Sequence, residues 1–253
     1  MNKQEVFHNK KVLLVCAETF SWPMHYVAES IRPYCQRLSA IYIQPGEDFF
    51  DAPDYTLFKS LNKDIRVHGM ATVTEKYLSL FNSAETHLDW DYIKYIEAEY
   101  TTFSSLNEQF LTEMTLIPYY HDRGYYEYVD YPKILLFTQL YYQYIESLFE
   151  NHRPDIILDT DVDFLGRSVL LEVSNKFDVP YISIDHARLD GYLLPTTSLV
   201  KNRSKKMESL FDKYVNDDSI LKEQDVKSMY VATKKMTGDI PDVFKKMHGD
   251  YAF

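Results

Sequence analysis

Glycine is scarce in this chain: there are 7 in 253 residues. Loops that cradle phosphate need closely spaced glycines so that backbone N–H groups can approach the ligand, and no such spacing occurs. Cysteine is scarcer still. Cys16 and Cys35 are too few for a disulfide framework or a zinc cluster, and Cys16 falls in an apolar run as a small core residue. Long hydrophobic runs are missing too. No stretch approaches the roughly 18 apolar residues of a membrane span, and the opening MNKQEVFHNKK has no apolar signal core. These absences lead us to expect a reducing, cytoplasmic setting, with peripheral association at the inner face of the membrane left open. Positive charge is the minority sign, with 27 Lys and Arg against 38 Asp and Glu. A net charge of −11 argues against nonspecific nucleic-acid binding and against broad adhesion to anionic membrane. The one dense basic patch, Lys201, Arg203, Lys205 and Lys206, reads as a solvated helix start. Serine-hydrolase elbows, zinc spacings, Walker loops and kinase signatures do not occur, which sets those classes aside.

What is present is ordinary in bulk and patterned in detail. Hydrophobic residues make up 45% and charged residues 26%, enough for a sizeable core. Tyrosine (22) and phenylalanine (15) are abundant, and many tyrosines fall in helical segments where a ring packs and a hydroxyl stays wet. The continuous apolar run at 11–17 predicts a strand buried on both faces. A loop with Glu18, Phe20 and Trp22 follows, then a helix over 24–37 carrying Val27, Ile31 and Tyr34 on one side. Strands are expected at 40–43 and, more weakly, at 65–67.

From about 73 to 151 the alternation lapses into a helical insertion. Trp90, Ile93, Ile96 and Tyr100 predict one helix continuing through Leu106, Phe110 and Leu111. A polar–aromatic loop at 118–131 holds His121, Asp122 and Arg123. Pro132 suits a helix start, and Leu135, Leu136, Leu140, Tyr144, Ile145 and Leu148 carry that helix forward. Alternation then resumes. A strand at 156–158 ends in Asp159, Asp161 and Asp163; a helix carries Leu165, Val169, Leu170 and Val173; a strand at 179–184 ends in Asp185, His186 and Arg188. The polar remainder reads as helices at 205–215, 219–236 and 241–247, a tail over about 205–253 that wraps a single domain spanning 1–253.

Alternating strands and helices favour a parallel sheet with right-handed crossovers. The expected fold is therefore α/β, a Rossmann-like parallel sheet in the order 3-2-1-4-5. That order makes the first strand and the 156–158 strand neighbours at a switch point, where ligands gather beyond the strand ends. The crevice is expected to be lined by Glu18, Asp159, Asp161, His186 and Arg188. Asp159-Thr160-Asp161 matches the Asp-x-Asp pattern that holds a metal on nucleotide sugars, but helix capping explains such aspartates more simply, so no metal is expected. His186, Asp161 and Glu18 are candidate bases. Each has a structural alternative: a hydrogen-bonded histidine, a helix cap, or an ion pair with Arg188. Arg188 suits a carboxylate or phosphate, and His121 and Arg123 suit sugar or anion contact. Trp22 is the aromatic candidate for substrate contact.

The pattern DWDYIKYIEAEY, then LNEQFL, then the HDR loop, then RPDIILDTDVDFLGRSVLLEVSNKFDVPYISIDHARLDGY resembles bacterial capsular or surface polysaccharide biosynthesis proteins. These are glycosyltransferases of the two-Rossmann GT-B type. The likeness covers nearly the whole chain and corresponds to the N-terminal half of such an enzyme. It implies an acceptor-side domain, holding a glycan or lipid-linked sugar, while a C-terminal domain or partner chain binds the nucleotide-sugar donor. This chain alone is then expected to bind no cofactor and to lack transfer activity without that second half. Residue by residue, the resemblance covers Arg123, Asp159 and Arg188. Two other readings stand beside it: a non-catalytic glycan-binding or assembly module that docks a partner, and a fragment of a sugar-nucleotide epimerase.

Overall fold

A computed structural model describes residues 3–16, 21–43, 53–69, 71–100, 106, 130–160, 165–186, 193–196 and 212–213. The chain divides into two compact units, Met1–Ser183 and Ile184–Phe253. The first unit opens with a short helix, α1 (Lys3–Phe7). Strand β1 (Lys11–Cys16) follows, buried along its length after Lys11. Helix α2 (Ser21–Ile31) leads to a 3-10 turn, Arg32–Tyr34, and to β2 (Arg37–Tyr42). Then come α3 (Pro53–Leu61), β3 (Arg66–Gly69) and α4 (Ala71–Leu80). A kinked 3-10 segment, Phe81–His87, joins α4 to α5 (Trp90–Tyr100). Helix α6 (Tyr131–His152) feeds β4 (Ile156–Asp159), and α7 (Leu165–Lys176) feeds β5 (Tyr181–His186). A short strand with no counterpart in the sequence expectations, β6 (Leu193–Thr196), belongs to the second unit. The expected tail helices lie outside the described residues, except for helical residues 212–213.

The five strands β1 to β5 form a parallel sheet in the order β3-β2-β1-β4-β5, the order expected from the sequence. The first strands wind outward one way and β4 and β5 the other, so β1 and β4 meet where the direction of winding reverses. Side chains alternate between the two faces of each strand. Val12, Leu14, Cys16, Ala40, Tyr42, Ile156 and Leu158 pack with Met24, Ala28 and Ile31 of α2 and Phe58 of α3. The alternate residues turn to the face carrying α6 and α7. There a Cβ added to Gly166 would stand 2.7 Å from both Ile43 Cγ2 and Tyr141 Cε1. Only glycine lets α7 approach this closely.

Several element bounds differ from the sequence expectations for local reasons. Helix α2 begins three residues early because Pro23 sits in its first turn, where a missing N–H costs nothing. It stops at Ile31 because Pro33 disfavours helical geometry in the residue before it, and the chain tightens into the 3-10 turn. Strand β2 starts early, at Arg37, since pairing with Lys11 onward extends it through residues that are not buried. Helix α6 starts where Pro132 suggested: Asp130 caps it, accepting from Lys133 N at 3.3 Å.

Candidate functional site

The carboxyl ends of β1 and β4 lie side by side, with Leu14 in register with Leu158. Thr160 follows the last residue of β4 directly. Ser21, the first residue of α2, is fully buried, and its hydroxyl has no hydrogen-bond partner. The Thr160 Oγ1 atom is likewise buried without one. An unsatisfied buried hydroxyl costs on the order of 1–3 kcal/mol, so each of the two is a local cost to the fold.

Beneath this edge lies a dry ion pair. Asp159 and Arg167 are both 0% exposed, with Oδ1 3.2 Å from Nη2. The same carboxylate accepts from Thr160 N at 2.7 Å and from the Tyr181 hydroxyl. Tyr181 reaches it because Ile157 and Tyr181 are register partners and point to the same face as Asp159. Burial pushes the neighbouring Cys16 thiol well above its ordinary range, the Asp159 charge adding to the effect and the Arg167 charge opposing it. Cys16 is therefore an unreactive core thiol. Asp159 is a fastener that fixes where β4 ends and α7 begins, and its oxygens are engaged from within.

An aromatic group stands on the first two turns of α2. Trp22 stacks on His25 at 5.5 Å between ring centroids and meets Tyr26 edge-on at 5.2 Å. Tyr26 is 55% exposed and Trp22 half-buried, so the group presents an apolar wall to solvent. His25 is held by α3. Arg32 Nη2 donates to Asn62 Oδ1 at 2.6 Å, which fixes the orientation of that buried amide. Its Nδ2 then donates to Phe58 O at 2.8 Å and, at 3.1 Å, to His25 Nδ1. With Nδ1 accepting, the neutral ring carries its proton on Nε2. That atom lies 3.7 Å from Glu29 Oε1, too far to be consumed by it. His25 is thus a pre-aimed donor.

Of the residues expected to line the site, Asp159 ends β4 but is sealed, and Trp22 lies in the first turn of α2. His186 ends β5 in the second unit, with only its backbone described. Glu18, His121, Arg123, Asp161 and Arg188 lie outside the described residues. Sequence reasoning missed Ser21, His25, Thr160, Arg167 and Tyr181. Arg167 had a usable signal, since an arginine inside the apolar stretch FLGRSVLL must find a buried partner, and the nearest acid is at the end of the preceding strand. Nothing in the sequence marked His25, because Asn62 comes to it from 37 residues away. Among the described residues, no three His, Cys, Asp or Glu side chains converge in a way that could hold a metal. No helix among them is long and apolar enough to cross a membrane.

The strand order and the helices around it define a doubly wound, Rossmann-like α/β fold whose winding reverses between β1 and β4. No family model matches the chain, and no curated protein matches it either.

Proposed function

We propose that this chain is the acceptor-side domain of a GT-B-like glycosyltransferase of surface-polysaccharide biosynthesis, and that the α2 edge holds the glycan. The observation that carries the reading is the exposed aromatic wall of Trp22 and Tyr26 on the first turns of α2, next to the His25 Nε2–H donor and directly after Ser21, whose hydroxyl has no partner. A sugar offers both complements at once: a hydroxyl for the His25 Nε2–H and an apolar C–H face for Trp22 and Tyr26. An acceptor hydroxyl must lose a proton during transfer. Because His25 Nδ1 is occupied and Nε2 carries the proton, His25 orients the sugar, leaving Glu18, Asp161 and His186 as the candidate bases. The nucleotide-sugar donor belongs to a second domain or partner chain, and the scarcity of glycine supports leaving it there.

Calorimetric or NMR titration with surface-glycan oligosaccharides and, separately, with nucleotide sugars tests this. Glycan is expected to bind, and Trp22→Ala to weaken that binding by about tenfold, worth about 1.4 kcal/mol, with little change in stability. Tight nucleotide-sugar binding with no response to glycan would overturn the reading.

A further inference from the structure

A second cluster lies where β2 and β3 run beneath the end of α6. In the parallel register Ser39 stands opposite Arg66 and Ile41 opposite His68. Arg37, Arg66 and His68 therefore share one face of the sheet. On α6, Tyr144, Leu148 and His152 recur every fourth residue and form one stripe. The two elements meet: the His68 and His152 rings are 5.3 Å apart, and Arg37 Nη2 donates to the His152 carbonyl at 3.4 Å. Arg66 bears electrostatically on His68, His152 and the Tyr144 hydroxyl. In a chain of net charge −11, two arginines and two histidines gathered without a carboxylate are unexpected. Among the described residues, no carboxylate pairs with Arg37 or Arg66. The carbonyl end of α6 answers part of the charge. One long bond from Arg37 leaves most of ten guanidinium N–H donors, about five per arginine, for something else.

We propose that Arg37, Arg66, His68 and His152, with Tyr144 beside them, form a binding site for a phosphate dianion, either a phosphate monoester or a pyrophosphate. Each of these side chains can donate a hydrogen bond, and none brings negative charge. Paired arginines on adjacent strands give the planar, forked geometry that oxyanions of this class prefer. The half-buried rings of His68 and His152 close one side, while both arginines are open to solvent. The site is separate from the α2 edge: it lies on the opposite face of the sheet and uses none of the same residues. Burial first, then Arg66, His152 and Arg37, hold His68 down to about 4, so near neutral pH its ring is an uncharged donor. A bound dianion favours the protonated ring, so binding raises that value and takes up protons. The groups facing His68 in that equilibrium are Arg66 on its own strand, Arg37 on β2, and His152 and Tyr144 on α6.

The source of the phosphate, a soluble ester or a lipid headgroup, is separated by two probes. The full chain is titrated with inorganic pyrophosphate, and with phosphatidylcholine vesicles doped with phosphatidic acid, while the histidine ring resonances are followed by NMR. The expected result is a saturable shift of His68 and His152 with at least one probe, weakened about tenfold or more by Arg37→Gln/Arg66→Gln. Response to pyrophosphate marks a soluble ligand; response to doped vesicles alone marks a headgroup. His68→Gln should also weaken binding, and it serves as the second variant if the double one unfolds. The proposal fails if neither probe shifts the rings saturably, or if the shifts survive the arginine replacements.

Discussion

Asp159 takes one tyrosine hydroxyl and Glu146 three, and each draws in a cation, yet their surroundings differ. Asp159 is fully buried and touches Arg167 directly, at 3.2 Å. Glu146 is half-buried on α6 and accepts from Tyr92, Tyr100 and, at 3.3 Å, Tyr95, all on α5. Its cation comes second-hand: Lys176 of α7 donates to the Tyr95 hydroxyl at 2.6 Å, pairs with Glu99 at 3.5 Å and lies over the rings of Tyr95 and Tyr100. Burial, reinforced by the bond to Glu146, raises the hydroxyls of Tyr92 and Tyr100 far above their ordinary range, so they remain donors. Burial works against the Lys176 charge, but Tyr95 and Glu99 outweigh it and raise its pKa. One network is a dry fastener under the switch point. The other is a damp clasp that ties α5 to α6 and α7. Connectivity is similar in the two, so the difference in environment should set the cost of breaking each.

The sharpest test removes one partner from each. Arg167→Ala strands a buried carboxylate and should cost about 3–5 kcal/mol in urea unfolding, whereas replacing both partners, Asp159→Leu with Arg167→Met, should recover much of that loss. If the single and double variants are equally destabilised, the pair is not what holds this corner. The next effect concerns the packing that keeps the corner dry. Gly166→Ala drives a Cβ to 2.7 Å from Ile43 and Tyr141 and should cost about 1–3 kcal/mol, read from the urea midpoint. Glu146→Gln keeps one acceptor oxygen but turns an amide donor toward another donor. Because the site is partly wet, a loss of only about 1–2 kcal/mol is expected, with hydrogen exchange rising first in α5. A loss as large as that of Arg167→Ala would erase the contrast between the networks.

The smallest effect is a pH dependence. The unfolded chain takes up the His68 proton near 6.5, the folded chain only near 4. Between those values the unfolded state binds more protons, so this contribution is complete above about pH 6.5 and is lost as pH falls toward 4. After discounting for solvent screening of this half-exposed ring, it is on the order of 1 kcal/mol. Wild type should lose stability relative to His68→Gln as pH falls through that window. Parallel curves would remove His68 as the source.

The framework was readable because strands and helices carry different periods. The run at 11–17, the Pro132 start and the abrupt acidic end of the 156–158 strand each report a local steric or solvation rule. The order 3-2-1-4-5 followed once the two halves were taken to wind in opposite directions, a step that crossover handedness permits but does not dictate. The site was less legible. Asp159 stood out as a strand-end acid, but whether it faces ligand or core depends on Arg167 and Tyr181, brought to it by α7 and the neighbouring strand. His25 looked like an ordinary helix residue until Asn62 and Arg32 fixed its tautomer. The cluster of Arg37, Arg66, His68 and His152 had no sequence signal, since its members are spread over more than a hundred residues.

Taken alone, the sequence determined the alternation of elements and their polarity, because backbone sterics and hydrophobic period act over a few residues at a time. Only the tertiary structure decided which charges are sealed, which hydroxyls go unanswered and which cations share a face. Those outcomes depend on burial and on partners from distant segments, and desolvation is set by the whole packed neighbourhood rather than by any stretch of chain.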